Sequence, residues 1–198
     1  GESGSNQVAA ALTAITAKGE TDEELAGMAS VMKELATKVR APKNAMDIAG
    51  TGSSAAKTFN VSTAAAIVAA GAGLTIAKQS NRGVTSKSGS ADVLAELGVK
   101  IANDPTMAQT SLNTGMCFLF PPKFHPELRR LADIRGRLGI RTCLNILGLL
   151  ANPAGVSRQL IGVWHRSLVV PTANALALLK TDTAWVVHGE DGLDEVTL

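Results

Sequence analysis

Apolar residues recur at three- and four-residue spacing along the first forty positions, a pattern typical of amphipathic helices. Thr21 followed by Glu24 forms the capping-box pattern, which predicts that a second helix begins there and ends before Pro42. Two helices with apolar stripes cannot close a core alone, so they must pack on the rest of the chain or on another subunit. Residues 1–42 are predicted to form a small helical domain. The apolar face of its first helix carries Val8, Leu12 and Ile15.

Beyond residue 42, short apolar segments are each followed by a polar loop and a helical pattern. Two consecutive strand–loop–helix units imply a parallel sheet covered by helices. Residues 43–198 are therefore predicted to form an α/β domain with a mainly parallel sheet, and part of 123–140 is expected to pack with the helical domain. The predicted strands cover 46–49, 74–77, 115–120, 161–163 and 184–187, and predicted helices begin near 62 and cover 91–97, 126–138 and 169–180.

Composition narrows the functional classes. Aromatic residues make up only 3% of the chain and Tyr is absent, so stacking platforms for single-stranded nucleic acid are scarce. The net charge of +2 decides little, but no Lys/Arg run is dense enough to indicate a nucleic-acid-binding surface. Cys117 and Cys143 are isolated, which predicts two reduced, buried thiols rather than a metal site or a disulfide.

The distribution of apolar residues predicts neither a targeting segment nor a membrane-spanning helix. Its start, residues 2–7, is polar, so no signal peptide is expected. The Ala-rich stretch 61–76 is interrupted by polar and glycine residues and is too short to span a bilayer. We therefore expect a cytoplasmic protein.

The first candidate binding loop follows the first predicted strand. A glycine-rich turn lets the backbone approach a ligand closely, and its amides, together with the next helix N-terminus, can bind anionic oxygens. The alternative is that the turn is only a tight connection. The loop carries Gly50, Thr51, Gly52, Ser53, Ser54, Thr58, Asn60, Ser62 and Thr63.

The second candidate loop follows the next strand and crowds hydrogen-bond donors before another helix. Ligands of open parallel sheets bind beyond the carboxyl ends of the strands, where both loops must lie. The two loops together suggest one polyphosphate ligand, whereas the alternative for this one is a solvated basic loop capped by Ser90. Its polar residues are Lys78, Asn81, Arg82, Thr85, Ser86, Lys87, Ser88 and Ser90.

Asp194 and Glu195 form the third candidate element. In a loop after Gly192 both carboxylates can face one pocket and hold Mg²⁺, which needs oxygen ligands. The alternative is an exposed acidic turn. Four arginines on the predicted 126–138 helix favour a solvated face, and three scattered histidines, His125, His165 and His188, are interpreted as structural.

The loop sequences resemble those of anthranilate phosphoribosyltransferases. GTGSSAAKTFNVSTAAA is similar to the family's Gly-Thr-Gly-Gly-Asp…Thr-Phe-Asn segment, and KQSNRGVTSKSGSADVLAELGV to its Lys-His-Gly-Asn-Arg…Ser-Gly-Ser-Ala-Asp segment. RGRLGIRTCLNILGLLANPAG and VVHGEDGLDEVTL follow in the family's order. The resemblance implies a helical domain used for homodimerisation on a larger α/β domain, of which the chain is expected to lack the C-terminal part.

The resemblance also implies the reaction: Mg²⁺-dependent transfer of ribose 5-phosphate from phosphoribosyl pyrophosphate (PRPP) to the amine of anthranilate, with no nucleophilic residue. Lys78, Asn81 and Arg135 would have electrostatic and positioning roles, and Ser62, Asp194 and Glu195 would hold Mg²⁺. The implied acceptor residues are Gly50, Gln79, Asn81, Arg135 and Leu149. The implied PRPP residues are Gly50, Thr51, Gly52, Ser53, Ser54, Thr58, Asn60, Val61, Ser62, Thr63, Lys78, Asn81, Arg82, Thr85, Ser86 and Ser90.

The chain departs from the family pattern inside the implied site. Ser53-Ser54 replaces a Gly-Asp pair, Gln79 replaces a histidine, Ser80 a glycine, and Leu149 the proline of a Gly-Pro-Leu turn. Two alternatives therefore stay open. One is a phosphoribosyltransferase or nucleoside phosphorylase-like enzyme with a changed acceptor, and the other is a non-catalytic relative that binds phosphate or nucleic acid.

Overall fold

The computed structural model describes residues 4–52, 59–83 and 88–197. The predictions for Ser53, Ser54, Thr58, Thr85, Ser86 and Lys87 lie outside these residues. Two short 3₁₀ turns, Pro126–Leu128 and Arg166–Leu168, accompany the regular elements. The helices are α1 Ser5–Lys18, α2 Asp22–Leu35, α3 Val61–Gly71, α4 Ser90–Glu96, α5 Pro105–Leu112, α6 Pro121–Phe124, α7 Arg129–Leu138, α8 Leu144–Leu150 and α9 Val169–Leu178. The strands are β1 Met46–Gly50, β2 Ile76–Gln79, β3 Met116–Leu119, β4 Arg158–Gly162 and β5 Thr183–Val187.

The strands form one sheet in the order β3-β2-β1-β4-β5, and every described pair is parallel. The prediction of a parallel sheet covered by helices is confirmed. β1 is the central strand, and its last residue, Gly50, pairs in register with Gly162 at the end of β4. The carboxyl ends of these two strands therefore lie side by side.

The N-terminal helices pack on the α/β part of the same chain. Leu12 of α1 and Leu25 of α2 belong to the same buried cluster as Leu147, Ile161 and Leu176. The start of α2 follows the predicted capping box: the Glu24 amide donates to Thr21 Oγ1 at 3.2 Å, and the Thr21 amide to Glu24 Oε2 at 3.0 Å. Helix α1 also contacts α7.

Two predicted strands lie at other positions than expected, and a helix was not predicted. β4 was expected at 161–163 but covers Arg158–Gly162, because the polar residues Arg158 and Gln159 pair with β1. β2 was expected at 74–77 but covers 76–79, because Lys78 and Gln79 are buried through hydrogen bonds to β1 that the hydrophobic pattern does not reveal. Helix α5 was not predicted, although Asp104 caps it by accepting from the Met107 amide at 2.9 Å.

Cys117 and Cys143 are buried and unpaired, as predicted. Among the described residues, no helix is both long enough and apolar enough to cross a bilayer.

Candidate phosphate and metal site

The candidate site lies at the carboxyl ends of β1 and β4, the edge of a parallel sheet where ligands usually bind. Asp194, from the segment that follows β5, contacts the turn after β1. Its Oδ2 atom accepts hydrogen bonds from Thr51 Oγ1 and from the Gly52 amide, both at 2.9 Å. The hydroxyl of Ser62, in the first turn of α3, donates to Glu195 Oε1 at 2.6 Å. The glycine-rich turn, the start of α3 and the acidic pair thus lie close together.

A compact turn after β5 places Asp194 and Glu195 at the carboxyl ends of β1 and β4. The Gly189 amide donates to Leu193 O at 2.8 Å, and the Gly192 amide donates to Gly189 O at 3.0 Å. Gly192 has a φ of +85°, a left-handed conformation that favours glycine. Asp191 Oδ1 accepts from the Leu193 amide at 3.1 Å and braces the turn.

The carboxyl groups of Asp194 and Glu195 are partly shielded from solvent. Asp194 is buried and Glu195 is half-buried. Burial raises the pKa of Glu195, and the neighbouring Asp194 adds to this, while Ser62 and Lys78 oppose it. Two carboxylates and a hydroxyl form an all-oxygen donor set, which suits Mg²⁺. The described residues contain no cluster of three His, Cys, Asp or Glu, but a magnesium ion that also binds phosphate and water needs only one or two carboxylates.

Lys78 is a buried cation beneath the turn, with 3% of its surface exposed. Its Nζ donates to Ile48 O at 2.5 Å and lies in the field of Asp47 and Glu195. Burial lowers the pKa of Lys78 and raises that of Asp47, and each residue opposes the shift of the other. The Lys78 amine nitrogen therefore lies between β1 and the acidic pair.

Gln79 connects β2 to α8. Its Nε2 donates to Gly148 O at 2.7 Å and lies 3.5 Å from Asp47 Oδ2, and its backbone amide donates to Asp47 Oδ1 at 3.3 Å. Its Oε1 is buried and has no hydrogen-bond partner among the described residues. Gln79, one of the implied acceptor-binding residues, therefore already uses its side-chain amide nitrogen in hydrogen bonds within the protein.

Sequence reasoning missed two residues of this network. Asp47 is 1% exposed, and its Oδ2 accepts from Asn152 Nδ2 at 2.7 Å. Asn152 Nδ2 also donates to Ala77 O at 2.9 Å. The available signal was a single carboxylate inside the apolar strand MDIAG, because a buried carboxylate needs partners.

The described parts of the second loop are held together by Asp92, another residue that sequence reasoning missed. Asp92 Oδ2 accepts from the Gly83 amide at 2.9 Å and the Gly89 amide at 2.8 Å. These bonds lower its pKa, with a smaller effect from Arg82. Ser90 lies next to Asn81, since its hydroxyl donates to Asn81 O at 3.5 Å. Asn81 and Arg82 are exposed and follow β2 directly.

The other implied site residues lie on α3, α7 and α8. Asn60 precedes α3, and Val61 and the buried Thr63 lie in its first turn. Arg135, on α7, lies near Cys143 at the start of α8, whereas Gln79 contacts Gly148 near the end of α8. Burial lowers the pKa of Arg135, and no carboxylate in the described part of the chain forms an ion pair with it.

Leu149 is half-buried, and its carbonyl oxygen accepts from Gln159 Nε2 at 3.0 Å. The histidines make protein contacts. His125 Nε2 lies 2.8 Å from Ala151 O, His188 Nδ1 lies 2.8 Å from Val163 O, and His165 Nδ1 lies 2.7 Å from Ser167 Oγ. These contacts agree with the structural interpretation of the three rings.

The sequence is similar to known transferases over its whole length. An anthranilate phosphoribosyltransferase from Xanthobacter autotrophicus is 46% identical over 199 residues, which cover 100% of this chain and 58% of that relative. The crystal structure of anthranilate phosphoribosyltransferase from Thermus thermophilus superposes with a TM-score of 0.91 at 39% identity, covering 100% of this chain and 60% of the other.

The anthranilate phosphoribosyltransferase from Saccharomyces cerevisiae in complex with PRPP and Mg superposes with a TM-score of 0.83 at 34% identity. The match covers 98% of this chain and 55% of that one. This chain therefore spans less than two thirds of the length of each of these proteins.

Two family models match this sequence. Residues 1–36 match the helical bundle domain of a glycosyl transferase family, and residues 42–198 match the α/β domain of a glycosyl transferase family. The two matches cover nearly the whole chain, and the chain therefore belongs to this glycosyl transferase family.

Proposed function

We propose that this chain carries the phosphoribosyl-transfer site of an anthranilate phosphoribosyltransferase. The reaction moves the 5-phosphoribosyl group from PRPP to the amine of anthranilate and releases pyrophosphate. The observation that carries the proposal is the contact of Asp194 with Thr51 and Gly52, since it brings two carboxylates to a glycine-rich turn suited to phosphate. The similarity of this chain to a relative in complex with PRPP and Mg supports the choice of ligand.

The phosphate side of the site would use backbone amides and one buried cation. The first amides of α3 lie at the positive end of the helix dipole, so they favour anionic oxygens. Lys78 would add a positive charge, which Asp47 and Glu195 favour and burial disfavours. Asp194, Glu195 and Ser62 would hold Mg²⁺, which neutralises the pyrophosphate leaving group when bound.

The acceptor side would use Arg135 and Asn81. A half-buried guanidinium without a carboxylate partner in the described residues is suited to grip the carboxylate of anthranilate in two-pronged fashion. As the bond from ribose C1 to pyrophosphate breaks, the amine attacks the opposite face of C1 and then loses a proton. Positioning and electrostatic stabilisation can supply the catalysis, and no residue has to form a covalent intermediate.

One observation favours a second candidate, a transferase with a changed acceptor. Gln79 Nε2 carries two hydrogens; it donates to Gly148 O at 2.7 Å and lies 3.5 Å from Asp47 Oδ2, so both donors are directed at protein groups. Gly148 and Leu149 belong to the same segment of α8. Gln79 Oε1 has no hydrogen-bond partner among the described residues, so an acceptor substrate that donates to it would fit this arrangement better than one that needs a donor there.

The proposal includes the finer predictions from the resemblance. These are a cytoplasmic homodimer, a helical domain over 1–42, and an α/β domain over 43–198. Its binding residues are the PRPP, acceptor and metal sets given by sequence, including those outside the described residues. Size-exclusion chromatography with light scattering would measure the oligomeric state.

The reaction is tested by the loss of anthranilate fluorescence when the protein is mixed with PRPP and Mg²⁺. We expect turnover by the wild type and its loss in Asp194→Asn. The control is Glu190→Gln, at an exposed position, which should keep its turnover. Calorimetric titration of PRPP with and without Mg²⁺ separates binding from catalysis. Binding without turnover would favour the changed acceptor, whereas salt-sensitive DNA binding without PRPP binding would favour a non-catalytic relative.

A further inference from the structure

Gly162, the last residue of β4, supports both halves of the candidate site. Its carbonyl oxygen accepts from the Thr51 amide at 3.0 Å, which fixes the start of the glycine-rich turn. On its other side, the main chain of Asp194 packs directly against its α-carbon. A Cβ added to Gly162 would overlap the Asp194 carbonyl oxygen and would lie 2.6 Å from the Asp194 carbonyl carbon.

The requirement for glycine here is spatial rather than conformational. Gly162 is not among the residues with positive φ, so its backbone would accept other residues. The neighbouring Gly50 provides a contrast, because a Cβ there would lie 3.4 Å from Asp194 Oδ2, an ordinary contact. Of these two glycines, only Gly162 lies so close to the Asp194 main chain that a side chain would not fit.

We propose that Gly162 is the positioning residue for the acidic pair Asp194-Glu195. Any side chain at 162 would push the Asp194 main chain away from the sheet. A shift of about 1 Å would stretch the 2.9 Å bonds of Asp194 Oδ2 with Thr51 and Gly52 beyond hydrogen-bonding distance. The effect on Mg²⁺ rests on the proposed function, whereas the effect on Asp194 itself does not.

The first test needs no ligand. Amide hydrogen exchange at Gly52 reports on its bond to Asp194, and Gly162→Ala should speed this exchange at least about tenfold, the factor for a loss of about 1.4 kcal/mol. The matched control is Gly27→Ala, at an exposed helical position where an added Cβ meets nothing within 4 Å. Gly52 exchange that is equally fast in wild type and Gly162→Ala would overturn the proposal.

The second test measures PRPP binding by calorimetry in the presence of Mg²⁺. Gly162→Ala should weaken binding at least about tenfold, and Asp194→Asn should add little to Gly162→Ala because both act through one residue. A residue that only stabilised the sheet would leave the full effect of Asp194→Asn intact, and such additivity would contradict the proposal. If wild type binds no PRPP, the proposed function fails, but the exchange test still decides the role of Gly162.

A third measurement covers the case in which Gly162→Ala does not fold. In the unaltered chain, nuclear Overhauser contacts are expected between the Gly162 α-protons and the Asp194 α-proton. An added Cβ at Gly162 would lie 3.5 Å from Asp194 Cα, so these protons are close. Their absence in a folded wild-type protein would overturn the proposal, whatever the variants do.

Discussion

The carboxylate of Asp194 and the backbone amide of Gly52, 142 positions apart in sequence, are joined by a 2.9 Å hydrogen bond. The same oxygen atom, Oδ2, accepts from the Thr51 hydroxyl. The segment after β5 is thereby tied to the turn after β1. The tie gives Asp194 a structural role that is separable from metal binding.

Replacing Asp194 with alanine should therefore destabilise the protein even without Mg²⁺. Hydrogen bonds to a charged group contribute about 1.5–3 kcal/mol, so a loss of this size in the free energy of unfolding is expected. Urea denaturation followed by circular dichroism measures it. The exposed Glu190 in the same loop provides the control Glu190→Ala. Equal effects of the two substitutions would show that the tie contributes nothing.

Lys78 and Asp47 form a second testable relationship. Lys78 Nζ donates to Ile48 O and attracts Asp47 through its charge, so removing it costs at most about 3–5 kcal/mol, the cost of breaking a contacting buried ion pair. We expect Lys78→Met to lower the free energy of unfolding by up to this amount, since Asp47 and Glu195 would lose their nearby cation.

The double variant Lys78→Met/Asp47→Asn should be more stable than the sum of the two single effects predicts. Urea denaturation of all four proteins gives the coupling energy. Additive effects would mean that the two charges do not interact significantly.

Exchanging Gln79 for histidine tests the acceptor side. The resemblance implies histidine at this position, and the Gln79 amide donor is engaged with Gly148 O. Gln79→His should lower the KM for anthranilate by up to about tenfold, the effect of one hydrogen bond of about 1.4 kcal/mol, with the KM for PRPP unchanged.

The control for this exchange is Gln159→His on β4. Gln159 Nε2 donates to the adjacent carbonyl, Leu149 O, at 3.0 Å and is not among the implied acceptor residues. It should not improve anthranilate use. If Gln79→His brings no gain, the departure at this position does not explain a weakened preference for anthranilate.

Features set by near neighbours in sequence were predictable. The capping box of Thr21 and Glu24 spans three residues, and each strand–loop–helix unit is marked by its own apolar run and glycines. The sequence therefore predicted the parallel sheet, the loops at its carboxyl edge and the acidic pair as candidates.

Relationships between distant residues were not predictable from pattern alone. Asn152 and Asp47 are 105 positions apart, and no periodicity links them. The need for glycine at 162 depends on where the Asp194 main chain comes to lie, which only the folded chain reveals. Lys78 and Gln79 are polar and therefore look like loop residues in the sequence. Their burial depends on hydrogen bonds to β1, which the pattern does not reveal.

The two buried thiols predict how stability changes in alkali. Burial raises the pKa of Cys117 from 9.0 to about 12 and that of Cys143 from 9.0 to about 11. The folded state therefore keeps protons that the unfolded chain loses above pH 9.0. The stabilisation is fully present below that pH and is lost as the pH rises through 9.0 towards 11–12.

Each thiol can contribute at most about 1.4 kcal/mol per pH unit to this loss. Urea denaturation at pH 8 and pH 10 should show that the free energy of unfolding falls more steeply in the wild type than in Cys117→Ala/Cys143→Ala. Tyr is absent from the chain, so no phenol titrates in this range, and lysines titrate in both proteins alike. Equal losses in the two proteins would show that the thiols do not titrate differently on folding. A native protein whose thiols react rapidly with a disulfide reagent at pH 8 would likewise contradict their burial.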